Sequence, residues 1–103
     1  MKEYRYESSG SVSRLIRRAV EEYNRYRSPE SIARLVRISG DRVEIIFSGS
    51  FCETCGINDW IDDFRYTLKR FNIDAVLERI EEVEEYSRRG VFRINLRRSL
   101  RIK

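Results

Sequence analysis

The chain has 103 residues, enough for one domain with one core and too few for two. Apolar residues make up 41% and charged residues 37%, the latter well above the usual share, and 21 basic against 17 acidic groups give a net charge of +4. Histidine is absent and there are two cysteines, which excludes Ser/His and Cys/His catalysis, zinc–histidine sites and a disulfide-dense secreted scaffold.

No run approaches the roughly 18 apolar residues of a membrane span. The start, Met1-Lys2-Glu3-Tyr4-Arg5, has no apolar block for a signal peptide, so the expected setting is the cytoplasm with no membrane partner. Of the basic residues 18 are arginine and three lysine, and glutamine does not occur. This composition fits a heat-adapted, thermophilic protein rich in ion pairs, although GC-rich codon usage gives the same arginine bias.

Residues 1–10 read as an irregular polar segment broken at Ser8-Ser9-Gly10. From Ser11, a candidate N-cap, apolar residues recur at Val12, Leu15, Ile16, Ala19, Val20, Tyr23 and Tyr26, the spacing of one helical face. Ser28-Pro29-Glu30 ends that helix. A strand over Ala33–Ser39, the turn Ser39-Gly40-Asp41-Arg42, and alternation of Val43, Ile45 and Phe47 with Glu44, Ile46 and Ser48 predict a β-hairpin.

A second helix is predicted by the stripe Ile57, Trp60, Ile61, Phe64, Leu68 and Phe71, with Asn58 or Asp59 as cap. Asp59, Asp62 and Asp63 sit in its first turns, where dipole compensation alone accounts for them. Residues 73–90 admit two readings. Ile73, Val76, Leu77, Ile80 and Val83 fit a helix ending at Gly90. Ser87-Arg88-Arg89-Gly90 also fits a loop joining a bulged strand 75–86 to a strand 91–97. The expected fold is therefore one α+β domain over residues 1–103. Its order is α-β-β-α followed by β-β or α-β, with an antiparallel-rich sheet of three or four strands and the helices on one face.

The chemistry-bearing motif is Cys52-Glu53-Thr54-Cys55, between the second strand and the second helix. Two sulfurs three residues apart can close on each other or turn together toward one soft metal ion. The helix N-terminus favours thiolate there, while Glu53, Asp59 and Asp62 oppose it. Gly49 and Gly56 flank the turn and let backbone approach whatever the sulfurs hold. A structural zinc site wants four ligands and one chain offers two thiols.

Around this motif, the stretch from Val12 to Val83 resembles the C-terminal, NifU-like iron–sulfur scaffold domain. That family runs helix, β-hairpin, a Cys-x-x-Cys loop just after a glycine, helix and strand, as in Ser48-Gly49-Ser50-Phe51-Cys52-Glu53-Thr54-Cys55. The resemblance implies that Cys52 and Cys55 are ligands of an iron–sulfur cluster or zinc shared between two subunits. A homodimer and an acceptor protein are the partners it implies. The chain departs from the family in one extra residue between the glycine and the first cysteine and in the missing proline after the motif. Ser28-Pro29-Glu30 replaces the double glycine before the hairpin, and the strand after Gly90 is additional.

Two alternatives belong to other classes. Arg88, Arg89, Arg93, Arg97, Arg98 and Arg101 concentrate charge at the C-terminal end, which suits phosphate contact in a nucleic-acid-binding or ribosome-associated domain. Against it, the run Glu81, Glu82, Glu84 and Glu85 is placed to pair with them. In the other alternative the protein is a structural or interaction protein and the cysteines form a stabilising disulfide. No residue set in the chain makes a nucleophile with its base, so no catalytic residues are assigned.

Overall fold

The computed structural model describes residues 2–50 and 56–96, with side chains described for 12–50 and 56–95. Helix α1 (Lys2–Arg27) leads into strands β1 (Ile32–Ser39) and β2 (Arg42–Ser48), then helix α2 (Ile57–Lys69), and strands β3 (Ile73–Glu84) and β4 (Ser87–Leu96). The four strands form one antiparallel sheet in the order β1-β2-β4-β3. Residues 73–84 are thus strand, and of the two orders expected the α-β-β-α-β-β one is adopted. Among the described residues no helix is long and apolar enough to cross a membrane.

The first hairpin follows from its turn. Ser39 pairs with Arg42, leaving a two-residue loop whose first member, Gly40, has φ 62°, the positive value a type II′ turn requires there. Alternation then sends Val43, Ile45 and Phe47 to one face, and all three are fully buried. Across the sheet they meet Phe92 and Gly90 of β4, and Ala75 and Ile80 of β3 continue the same face.

Both helices lie on that face. α1 contributes Ile16, Ala19 and Tyr23, and α2 contributes Ile61, Phe64 and Leu68, all buried in a single cluster with the inward residues of the sheet. Tyr26, expected on the apolar stripe, is instead 61% exposed at the end of α1. At the centre Tyr23, Phe47, Phe64 and Phe92 pack edge to face or tilted, with ring centroids 5.5–6.3 Å apart. Such pairs contribute about 0.5–1.5 kcal/mol each beyond their burial.

Three sequence expectations are corrected. Residues 2–10 are helical rather than irregular, so α1 starts nine residues before Ser11. Serine and glycine lower helix propensity by less than about 1 kcal/mol each, which a helix already nucleated downstream can absorb where a proline would stop it. The cap of α2 is Gly56, not Asn58 or Asp59; it makes no side-chain cap hydrogen bond. Gly90 is not a loop glycine but lies within β4, opposite Ile45 and Ile80, and the turn falls at Glu85-Tyr86. A Cβ on Gly90 would approach Ile61 Cγ2 and Phe92 Cε1 to 3.0 Å, so its bare backbone is what lets α2 and the rings close over β4.

The bulges fall on the two edge strands. β1 shifts register at Val36, and β3 shifts at Glu78 and Val83. The shift at Glu78 explains why β3 defeats a simple alternation: Leu77 and Ile80 both face inward although three positions separate them. Bulged edges also resist edge-to-edge pairing between copies.

Tyr23 carries the fold's clearest pH dependence. Its hydroxyl exchanges a 2.7 Å hydrogen bond with Ser31 and donates to the Trp60 carbonyl at 2.9 Å, tying α1 to the turn before β1 and to α2. Burial pushes its pKa up from 10.0 to about 12, against the lowering effect of the Ser31 bond. The folded state therefore holds a proton that the unfolded chain has lost between those two values. That contribution, a few kcal/mol at most, is whole below pH 10.0 and is lost as pH rises toward about 12. Thermal melts should show this fall, and Tyr23→Phe should be less stable by about 1–2 kcal/mol at neutral pH and should flatten it.

Candidate functional site

The segment 51–55, with Cys52 and Cys55, lies outside the described residues; both of its ends are described and are tightly specified. At the β2 end, the Gly49 N–H donates to the Tyr86 carbonyl at 3.0 Å, which fixes the exit of β2 against the β3–β4 turn. Gly49 has φ 140°, and a Cβ there would collide with the Glu30 carbonyl of the 28–31 turn. The sequence predicts that Gly49 lets backbone approach a bound group; the close approach described is to the Glu30 carbonyl.

At the other end Gly56 takes a left-handed conformation, φ 92° and ψ 24°, and its carbonyl accepts from the Asp59 N–H at 2.9 Å and the Trp60 N–H at 3.2 Å. That conformation favours glycine. Without a side-chain cap, the first-turn N–H groups of α2 and its positive dipole end lie directly after Cys55 in the chain. Ser48, the last residue of β2, adds a 2.9 Å hydroxyl contact to Ser87. The loop thus spans two anchored glycines at one end of the sheet.

Two of the acidic residues near the motif are engaged by arginines. Asp63 accepts from Arg27 at 2.6 Å, joining α2 to α1, and Asp62 accepts from Arg65 at 2.9 Å and 3.0 Å. Asp59 stays in the first turn of α2. Among the described residues no three His, Cys, Asp or Glu groups gather where they could hold a metal ion. Cys52, Glu53 and Cys55 lie outside the described residues; the two thiols are half of a tetrathiolate site.

The basic candidates divide. Arg97, Arg98 and Arg101 lie outside the described residues. Arg88, Arg89 and Arg93 lie in β4 and are met by carboxylates of its neighbours. Arg88 is 3.8 Å from Glu82 and donates to the Glu84 and Ser87 carbonyls. Arg89 reaches Glu81 at 3.4 Å and Glu44 at 3.8 Å, and its Nε is buried without a hydrogen-bond partner. Arg93 lies 3.6 Å from Glu78, whose other partner is Arg42 at 2.7 Å.

The hydrogen bond from Arg42 holds the Glu78 carboxyl below its usual range, and Arg79 does the same for Glu81. β3 carries five carboxylates and one arginine beside the three arginines of β4. These three arginines thus face the carboxylates of β3 and β2, as the acidic run foreshadowed. Two apolar residues the sequence did not single out, Ile46 and Val91, are 9% and 1% exposed on this uncovered face. Their register neighbours, Arg34 and Arg89 for Ile46 and Glu44 and Arg79 for Val91, have stems long enough to cover them.

No protein-family model matches the chain, and neither a curated protein nor a solved structure matches it significantly.

The glycine contacts give a graded test of the loop's anchoring. Gly40→Ala meets open space and bears only the cost of a positive φ, about 1 kcal/mol. Gly49→Ala must also displace the Glu30 carbonyl, so it should cost at least about 2–3 kcal/mol by urea denaturation. Equal losses at the two positions would show that the close approach at Gly49 contributes nothing.

Proposed function

We propose that the protein is a non-catalytic thiol module that binds a soft metal or an iron–sulfur cluster through Cys52 and Cys55, with a second copy of the chain completing the site. The observation that carries this reading is the anchoring of the cysteine loop. The Gly49 N–H is bonded to the Tyr86 carbonyl, its backbone lies too close to the Glu30 carbonyl for a side chain, and Gly56 is the N-cap of α2 with no side-chain cap bond, so the described chain on both sides of residues 51–55 is held in place. A short loop between fixed ends limits the directions two nearby thiols can take, and the dipole favours their ionised, ligating form.

Stoichiometry supports the two-copy form. Zinc and iron–sulfur centres take four protein ligands in their closed forms, and histidine is absent from the chain. The neighbouring carboxylates Asp62 and Asp63 are held by arginines. Two chains with two cysteines each make the full set. The bound group would supply the redox or transfer chemistry; the chain's own residues bind and orient it. The element order helix, hairpin, Cys-x-x-Cys loop, helix, strand agrees with the NifU-like arrangement, and the reading leans on that likeness no further.

Protein purified without oxygen from metal-replete cells should contain iron or zinc bound by thiolate, seen by elemental analysis and, for a cluster, by visible absorption. Cys52→Ser should remove it, because a shared site loses two ligands at once. Metal content unchanged in Cys52→Ser, or absent from the parent, contradicts the proposal.

A further inference from the structure

The described arginines differ in whether a carboxylate meets them, and Arg18 and Arg25 of α1 are among those with no ion pair to another described residue. Arg27, Arg42, Arg65, Arg70, Arg79, Arg88, Arg89 and Arg93 each have a carboxylate within 4.0 Å. Arg14 and Arg17 of α1 and Arg34 and Arg37 of β1 are exposed and make no ion pair with another described residue. Arg34 and Arg37 stand on the sheet face that the helices do not cover, and Arg37 meets Arg17 of α1 across the free edge. Ser13 and Arg17 from α1 and Leu35, Val36, Arg37 and Ile38 from β1 line a groove of about 370 Å³ along the free edge of the sheet.

Arg34 continues the outer face of β1 beside Arg37, and Arg14 adjoins Ser13 on α1. β1 carries two arginines and no carboxylate, whereas β3, the opposite edge, carries five carboxylates. Among the residues of α1 with described side chains, the acid nearest Arg17 on its flank is Glu21, a turn beyond and exposed.

Such a surface fits a polyanion, and its details select which one. An acidic peptide adding as a strand needs a regular free edge, and β1 is bulged at Val36 in the middle of the groove. A single nucleic-acid strand needs aromatic platforms for its unstacked bases, and none of the groove's lining residues is aromatic. A duplex keeps its bases stacked on one another and offers rows of phosphates, which need only spaced, unpaired cations. We propose that the groove between α1 and β1, with Arg14, Arg17, Arg34 and Arg37, binds the phosphate backbone of a nucleic-acid duplex. This surface is separate from the cysteine loop and stands whether or not that loop holds metal.

The test uses the full chain and a labelled DNA duplex of about 20 base pairs, followed by fluorescence anisotropy across roughly 50–200 mM salt. Four engaged arginines predict a log–log salt slope of about −3 to −4. Reversing Arg17 and Arg37 together (Arg17→Glu, Arg37→Glu) should weaken binding at least about tenfold and make the slope shallower by about 2. Arg25→Glu with Lys69→Glu makes the same charge change at exposed positions outside the groove and should alter affinity by no more than about twofold. If the groove reversal lowers the melting temperature, Arg17→Ala with Arg37→Ala replaces it. Equal loss in groove and control variants would reduce the effect to net charge and overturn the proposal. So would tighter binding of the single strand, polyglutamate binding as tight as the duplex, or no binding at low salt.

Discussion

The structure turns on how closely α2 approaches the sheet at Gly90. Phe47, Phe64, Phe92 and Tyr23 meet there from four different elements, and a β-carbon at Gly90 would intrude on Ile61, Phe92 and Phe47 together. Because interiors are packed like crystals, a gap or an excess at that point is transmitted to every element that shares it. Tyr23 then converts packing into direction. Its hydroxyl reaches both Ser31 and the Trp60 carbonyl, so the start of β1 and the first half of α2 are referred to the same atom. The described chain on either side of residues 51–55 takes its place from these ties: β2 ends at Ser48, next to Phe47, and α2 begins at Ile57, one turn before Ile61.

Charge is distributed around this core with a clear asymmetry. Arg89 and Arg93 of β4 meet carboxylates of β3 and β2, which leaves the middle of the open sheet face laced by ion pairs over Ile46 and Val91. Exposed pairs of this kind contribute little singly, and a network gains weight mainly as temperature rises. Arg34 and Arg37 on β1 and Arg14 and Arg17 on α1 are among the arginines left without an ion pair to another described residue.

Much of the fold was legible in the residues. Val43, Ile45 and Phe47 declared the inner face of β2, Gly40 marked its turn, and Ile57, Ile61, Phe64 and Leu68 marked α2 by their spacing. The obscured parts have specific physical causes. Ser8-Ser9-Gly10 are weak helix formers with no proline among them, so composition argued for a break where the helix continues. Strand β3 reads as helical because the bulge at Glu78 shifts its phase from two to three between Leu77 and Ile80. Gly90 looked like a turn because a glycine in a strand signals its purpose only when α2 is seen above it. For the site, the sequence found the loop-flanking glycines, but the partner of Gly49, the Glu30 carbonyl, lies across the chain and no local pattern announces it. The arginine run at the C-terminal end was visible while its neutralisation depended on a register that only pairing defines.

The claim most exposed to contradiction is that two chains share one centre through their cysteine loops. Native mass spectrometry of the anaerobically purified protein reads chain number and bound metal together. The account predicts a species of two chains carrying one thiolate-bound centre, which falls apart to monomers when a chelator removes the metal. A metal-free monomer in which both Cys52 and Cys55 react freely with a thiol reagent would contradict it.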